Sequence, residues 1–203
     1  MVHETAFDDV FDSQATFRAM LDCLSRPGSI RTVPALRYES APREFCPPML
    51  SLLKTLCDHR VSFSIGSPAS RPDWVAYLKM NLSTPFVSVD EAEYVVFNGG
   101  KFDADFSRLN RGTLEFPESS ATALLCVQRL SDETQTSLPG FALRLKGPGV
   151  KNLTTLTIVG LDARYIEERS QANKFYPLGI DVFLVDADGR VAGIPRTSAV
   201  EVH

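Results

Sequence analysis

Apolar residues recur at helical spacing in three stretches of the chain and at strand spacing in several more. Phe17, Met20, Leu21 and Leu24 fall at i, i+3, i+4 and i+7, which predicts a helix capped by Asp12 and running to Ser25, with that stripe turned to a core. Arg26-Pro27-Gly28 ends it, because proline cannot continue a helix and glycine permits the turn. A short extended segment over 30–33 follows, then an irregular stretch over 34–48 with four prolines. Pro48 opens a second helix in the first turn, where its missing N–H costs nothing, and Met49, Leu52, Leu53 and Leu56 repeat the spacing. Val61, Phe63 and Ile65 alternate with Ser62 and Ser64, the pattern of a half-buried strand. Ser70 with Asp73 reads as a capping pair for a third helix carrying Trp74, Tyr77, Leu78 and Leu82. Strands are predicted over 94–97, 122–128, 141–146 and 154–159. A polar helix over 162–174 leads to a last strand pair, 181–186 and 191–195.

Two of these strands, 123–127 and 182–185, are continuously apolar, which suits a sheet covered on both faces. Helices interleaved with such strands predict an α/β fold, a three-layer αβα sandwich, and the close strand pairs of the later half predict a mixed sheet. No repeat, low-complexity tract or linker interrupts the pattern, so residues 1–203 are read as one domain.

Composition changes this picture little but narrows the function. At 203 residues, with 44% hydrophobic and 23% charged residues and 13 Phe along the chain, a disordered protein is excluded. No apolar run approaches the ~20 residues of a membrane helix. Residues 1–12 carry four acidic and no basic residues, the reverse of a signal or transit peptide, so a soluble cytoplasmic protein is expected. The charge balance, 21 Lys plus Arg against 25 Asp plus Glu, gives −4 with no basic stripe, which argues against nucleic acid as a partner. Arg outnumbers Lys 15 to 6, which fits defined anion contacts and equally fits a compositional bias.

Cys23, Cys46, Cys57 and Cys126 are scattered and form no C-x-x-C pair, so they read as structural thiols. His3, His59 and His203 give no zinc spacing, and no G-x-S-x-G elbow accompanies His59. Neither a metal site nor a familiar hydrolase is indicated.

Three elements could carry chemistry. Lys146-Gly147-Pro148-Gly149 lies between two predicted strands, with Arg144 and Lys146 on the face opposite Phe141, Leu143 and Leu145. It is an anion-holding turn or a purely structural one, and it is not a P-loop. Asp181, where Pro177-Leu178-Gly179-Ile180 enters a strand, binds a ligand or caps local N–H groups. Arg196, in Ile194-Pro195-Arg196-Thr197, offers a planar fork to phosphate or carboxylate, or sits in a surface ion pair. In an antiparallel pair Asp181 and Arg196 share one sheet end. A partly exposed pair there would contribute only about 0–1 kcal/mol.

These elements, together with Phe11-Asp12-Ser13-Gln14-Ala15-Thr16-Phe17-Arg18, Ser25-Arg26-Pro27-Gly28, Gly112-Thr113 and Pro117-Glu118, resemble in order and spacing the PhnH family of the carbon–phosphorus lyase system for bacterial phosphonate use. Tyr176 departs from the family's usual Phe before the proline but keeps an aromatic face. The resemblance implies an αβα fold like a reduced PLP-dependent transferase, without the cofactor. It implies a homodimer that joins subunits designated G, I and J. That complex exchanges the adenine of ATP for an alkylphosphonate at the ribose C1 position, giving ribose 1-phosphonate 5-triphosphate. It implies no catalytic residue on this subunit. The candidate ligand- or partner-binding residues are Arg26, Arg144, Lys146, Gly147, Gly149, Asp181, Arg196 and Thr197, with phosphonate or nucleotide as the ligand.

No cofactor is expected, since none of the six lysines sits in a PLP motif, although Asp181 has the chemistry of a pyridinium partner. The alternatives are an independent enzyme on a PLP-transferase-like fold and a ligand-binding regulatory dimer. Phe102, Phe106, Tyr165 and Phe175, aromatic residues in polar stretches, are the expected interface markers, with core packing as the alternative for some of them.

Overall fold

The computed structural model describes residues 7–36, 41–42, 44–100, 105–132, 140–151 and 154–203. The chain begins with α1 (Phe11–Ser25), β1 (Ile30–Thr32), α2 (Pro47–Leu56), β2 (Phe63–Ile65) and α3 (Pro72–Asn81). It continues through β3 (Tyr94–Asn98), β4 (Thr122–Cys126), β5 (Arg129–Ser131), β6 (Gly140–Lys146) and β7 (Thr154–Val159). It ends with α4 (Arg164–Ala172), β8 (Asp181–Val185), β9 (Arg190–Ile194) and β10 (Ala199–Val202). The predicted helices and longer strands are present with boundaries moved by one or two residues. The short strands β5 and β10 were not predicted.

The strands form two sheets. The larger is mixed, as expected, in the order β1-β9-β8-β4-β3-β2. Its centre is parallel from β2 to β8, and β9 and β1 pair antiparallel at one edge. The two apolar strands, β4 and β8, are neighbours at its middle, with Leu124 opposite Phe183. Alternate residues there face different cores, which is why neither strand has a polar side.

One core lies between this sheet and α1 to α3, where Leu124, Phe183 and Val185 pack with Met20, Met49, Leu53 and Trp74. Phe45 meets Trp74 edge-on with ring centroids 5.1 Å apart. On the other face Phe97, Leu125, Val182 and Leu184 pack with Leu143, Leu145, Leu156 and Ile158. Those last four belong to the second sheet, antiparallel in the order β10-β6-β7-β5. The αβα sandwich is therefore corrected on one side: a four-stranded sheet together with α4, not a helical layer, covers that face. Burying both faces of the central strands stabilises the fold by roughly 1.5–3 kcal/mol per large apolar side chain.

Local expectations also change. In α1 the buried stripe is Thr16, Met20 and Cys23, whereas Phe17 and Leu21 are 47% and 51% exposed. Its N-terminus is closed by Asp8, whose Oδ1 accepts the N–H groups of Val10 and Phe11, and Asp12 instead accepts the N–H of Asp8. Ser70 does not cap α3; its hydroxyl donates to Ser67 O, and Arg71 precedes the helix without a side-chain cap. β2 is buried on both sides, and the Ser64 hydroxyl is satisfied by Val87 O at 2.9 Å. Phe106 and Tyr165 are core residues, each in tilted or edge-on ring contact with the other and with Phe97, and among the described interface markers only Phe175 is exposed. Phe102 lies outside the described residues.

Candidate functional site

The site is built where β8 begins and β9 ends. Antiparallel pairing sets Val182 opposite Ile194, so the residues just beyond, Asp181 and Pro195-Arg196, stand side by side. Asn173, after α4, fixes the entry to β8 by bonding both the N–H and the C=O of Ile180. Pro195 has no N–H to extend the ladder, and the chain turns at once, with Ser198 N donating to Pro195 O at 2.9 Å.

Arg196 is spent largely on the protein itself. Its backbone N–H donates to Asp181 Oδ1 at 2.7 Å and its Nη2 to Asp181 Oδ2 at 2.8 Å. Its Nη1 donates to Pro117 O at 2.6 Å, which ties in the preceding loop. The two side chains are only 16% and 20% exposed, so this is a mostly buried clamp and not the partly exposed pair expected from the sequence.

The Gly147-Pro148-Gly149 turn joins this end to the N-terminal helix. Gly147 has φ +144°, and a Cβ there would lie 3.0 Å from Thr197 O. Gly149 has φ +80°, and a Cβ would lie 2.2 Å from Ser25 O, so the backbone after α1 can pack here only against glycine. A cavity flanks the turn on each side. One, of about 570 Å³, is lined among others by Pro148, Arg169, Tyr176, Arg196, Thr197 and Ser198. The other, of about 620 Å³, is lined among others by Arg26, Gly28, Gly149 and Lys151.

The candidate residues are thus divided. Arg196 and Thr197 line the first cavity, with Asp181 and Gly147 beside them, and Arg26 and Gly149 line the second. Arg26 is itself bonded to Asp22 at 2.9 Å. Arg144 and Lys146 line neither cavity. They lie on the outward face of β6, where Lys146 pairs with Glu201 at 3.6 Å and Arg144 bonds His203 at 3.0 Å.

Sequence reasoning missed Arg169. It lies on the inward face of α4 with Tyr165, Ile166 and Ala172, and is 2% exposed. The available signal was its position, four residues after Tyr165 and three before Ala172, on the stripe that an amphipathic helix turns inward. Its Nη2 donates to Pro195 O at 2.6 Å and to Ser198 O at 3.0 Å, while its Nε has no partner. Burial pulls its guanidinium down to about 10, partly opposed by the Asp181 carboxylate. Ser198, 4% exposed, also has an unpartnered hydroxyl.

This arrangement is suited to holding an anion or a polar loop, since it pairs no nucleophile with a base. The thiols are suited to packing: burial pushes Cys23 up to about 11 and Cys57 up to about 12, so both stay protonated. Cys126 is raised as well, chiefly through its hydrogen bond with Cys46 and then by burial. Among the described residues no cluster of three His, Cys, Asp or Glu side chains could hold a metal ion, and no helix is long and apolar enough to cross a membrane.

Comparison with known proteins adds a family and two relatives. The model of the family described as bacterial phosphonate metabolism protein (PhnH) matches residues 5–201. A Rhizobium meliloti (strain 1021) protein named alpha-D-ribose 1-methylphosphonate 5-triphosphate synthase subunit PhnH is 29% identical over 204 residues, covering 98% of this chain and 96% of that protein. A Stutzerimonas stutzeri protein named putative C-P lyase subunit protein HtxG is 33% identical over 190 residues, covering 93% and 86% respectively.

Proposed function

This chain belongs to the PhnH family of bacterial phosphonate metabolism proteins, and on that premise we propose that it is an accessory, non-catalytic subunit of a carbon–phosphorus lyase assembly. The assembly would convert an alkylphosphonate and ATP to ribose 1-phosphonate 5-triphosphate and adenine. The observation that carries the proposal is that 98% and 93% of the chain align with two proteins, one named as a subunit of alpha-D-ribose 1-methylphosphonate 5-triphosphate synthase and the other as a putative C-P lyase subunit. The site supports it physically, since its arginines and glycines can bind but supply no acid–base pair for chemistry.

The partners proposed are a second copy of this chain and the G, I and J subunits. Support comes from large apolar side chains left in water. Phe17 and Leu21 lie on α1, and Leu114, Phe116, Phe175 and Tyr176 lie in loops. One domain, a cytoplasmic location and a resemblance to a reduced PLP-dependent transferase fold, without its cofactor, complete the proposal. Asp181 supports that last point, because the carboxylate that a pyridine nitrogen would need is already held by Arg196. Two surfaces are proposed to meet a ligand or a partner's loop: the clamp with Gly147 and Thr197, and, across the turn, Arg26 with Gly149. Arg144 and Lys146, on the outward face of β6, are proposed for partner contact alone.

Deleting the gene from the source organism tests the role. Growth on methylphosphonate as sole phosphorus source should be lost, retained on phosphate, and restored by the chain supplied in trans. Unimpaired growth of the deletion strain on methylphosphonate would contradict it.

A further inference from the structure

The cavity beside Arg196 carries more positive charge than the protein balances there. Arg169 and Arg196 both line it, and among the described residues the carboxylate whose field acts on Arg169 is Asp181, already bonded to Arg196. Arg169 is buried, makes no ion pair among the described residues, and meets only backbone carbonyls, both through Nη2. A buried guanidinium without a counter-ion is costly, and so is a buried donor without an acceptor. Its Nε is such a donor, and the Ser198 hydroxyl on the same cavity wall is another. These groups lie on α4 and on the turn after β9, so the fold converges them on one place.

We propose that this cavity is an oxyanion site, in which Arg169 and Ser198 receive the phosphonate or phosphate head of a small anionic ligand. Arg169 Nε and Ser198 Oγ are closed to solvent as they stand, so each must turn toward an entering ion, which would then satisfy both leftover donors and the excess charge together. Gly147 lets the neighbouring turn pack closely on this wall, since a Cβ would stand 3.0 Å from Thr197 O and 3.2 Å from Ser198 Cα. The depressed ionisation of Arg169, at about 10, still leaves it charged at neutral pH, as an anion site requires. At about 570 Å³ the cavity exceeds one tetrahedral ion, and Tyr176, 72% exposed at its rim, leaves a ring face for the organic remainder. Asn173 lines the cavity but is committed to Ile180, so it positions the wall and does not bind the ion. The proposal rests on the cavity and not on the assembly, so its failure would leave the subunit role untouched.

Calorimetric titration of the full chain with methylphosphonate, inorganic phosphate and ATP tests it. Saturable one-to-one binding of at least one of the three is expected. Methylphosphonate alone would identify a substrate phosphonate, ATP alone a nucleotide, and all three a general oxyanion pocket. Ser198→Ala should weaken binding by about tenfold, the loss of one hydrogen bond to a charged group. It should leave the melting temperature unchanged, since that hydroxyl has no bond to lose. Arg169→Lys, which keeps the charge but loses the planar fork, should weaken binding at least as much. Binding of none of the three, or undiminished binding by a folded Ser198→Ala protein, would overturn the proposal and leave Arg169 to a partner's carboxylate.

Discussion

Asp181 holds Arg196 by both its backbone and its side chain: Oδ1 accepts the backbone N–H at 2.7 Å and Oδ2 accepts Nη2 at 2.8 Å. One carboxylate therefore closes the β8–β9 end of the sheet, and the same guanidinium reaches on to Pro117 O. Because the pair is mostly buried, it is worth more than a surface ion pair.

Arg196→Ala leaves Asp181 without its cation and Pro117 O without a donor. We expect a loss of about 2 to 3 kcal/mol, less than for a wholly buried pair because water still reaches both groups. Thermal melting should fall by roughly 4–12 °C for a chain of this size. A melting temperature unchanged within a degree or so would mean that the clamp contributes nothing to the fold.

Asp186, fully buried after β8, makes a second such joint. Its Oδ1 accepts the N–H groups of Asp188 and Arg190, and its Oδ2 accepts Leu130 N–H at 3.0 Å, which couples the hairpin to β5. Asp186→Ala strands these donors and should cost about 3 kcal/mol, read as a lower urea midpoint. Asp186→Asn keeps one acceptor and should fall between the two. Equal midpoints for wild type and Asp186→Ala would refute the joint.

The thiols set the alkaline limit. Cys23 and Cys57, ordinarily near 9.0, are pushed by burial to about 11 and about 12, the rise being opposed by Arg31 at Cys23 and increased by Glu93 and Asp58 at Cys57. Below the ordinary value both folded and unfolded chains keep these protons. Above it the unfolded chain releases them while the folded chain does not, so stability falls as pH rises through that window. Tyr94, held at about 12, acts the same way from about pH 10 upward. The urea midpoint should drop between about pH 9 and about pH 11, and less steeply in Cys23→Ala. A midpoint that rises over that range, or an identical slope in the variant, would be inconsistent with buried, protonated thiols.

Periodicity made the central strands legible because β4 and β8 are apolar on both sides, and only a doubly covered strand tolerates that. It could not show what covers each face. β5 and β10 are three and four residues long with polar outward positions, so they exist through their pairing with β7 and β6 and leave no run of their own. In α1 the pattern found apolar residues but not which of them the fold buries, and Phe17 and Leu21 stayed outside. Asp181 and Arg196 could be placed together because consecutive antiparallel strands return the chain to the same end. Arg169 was hidden by its own charge: in a helix otherwise polar, an arginine counts as solvated until the sheet that covers it is known.

The account rests on membership in an assembly, and purification of that assembly tests it most directly. The chain, tagged at its chromosomal locus, should be recovered from methylphosphonate-grown cells with the G, I and J subunits in fixed ratio through gel filtration. Recovery of the chain alone, while G, I and J form their complex without it, would contradict the account.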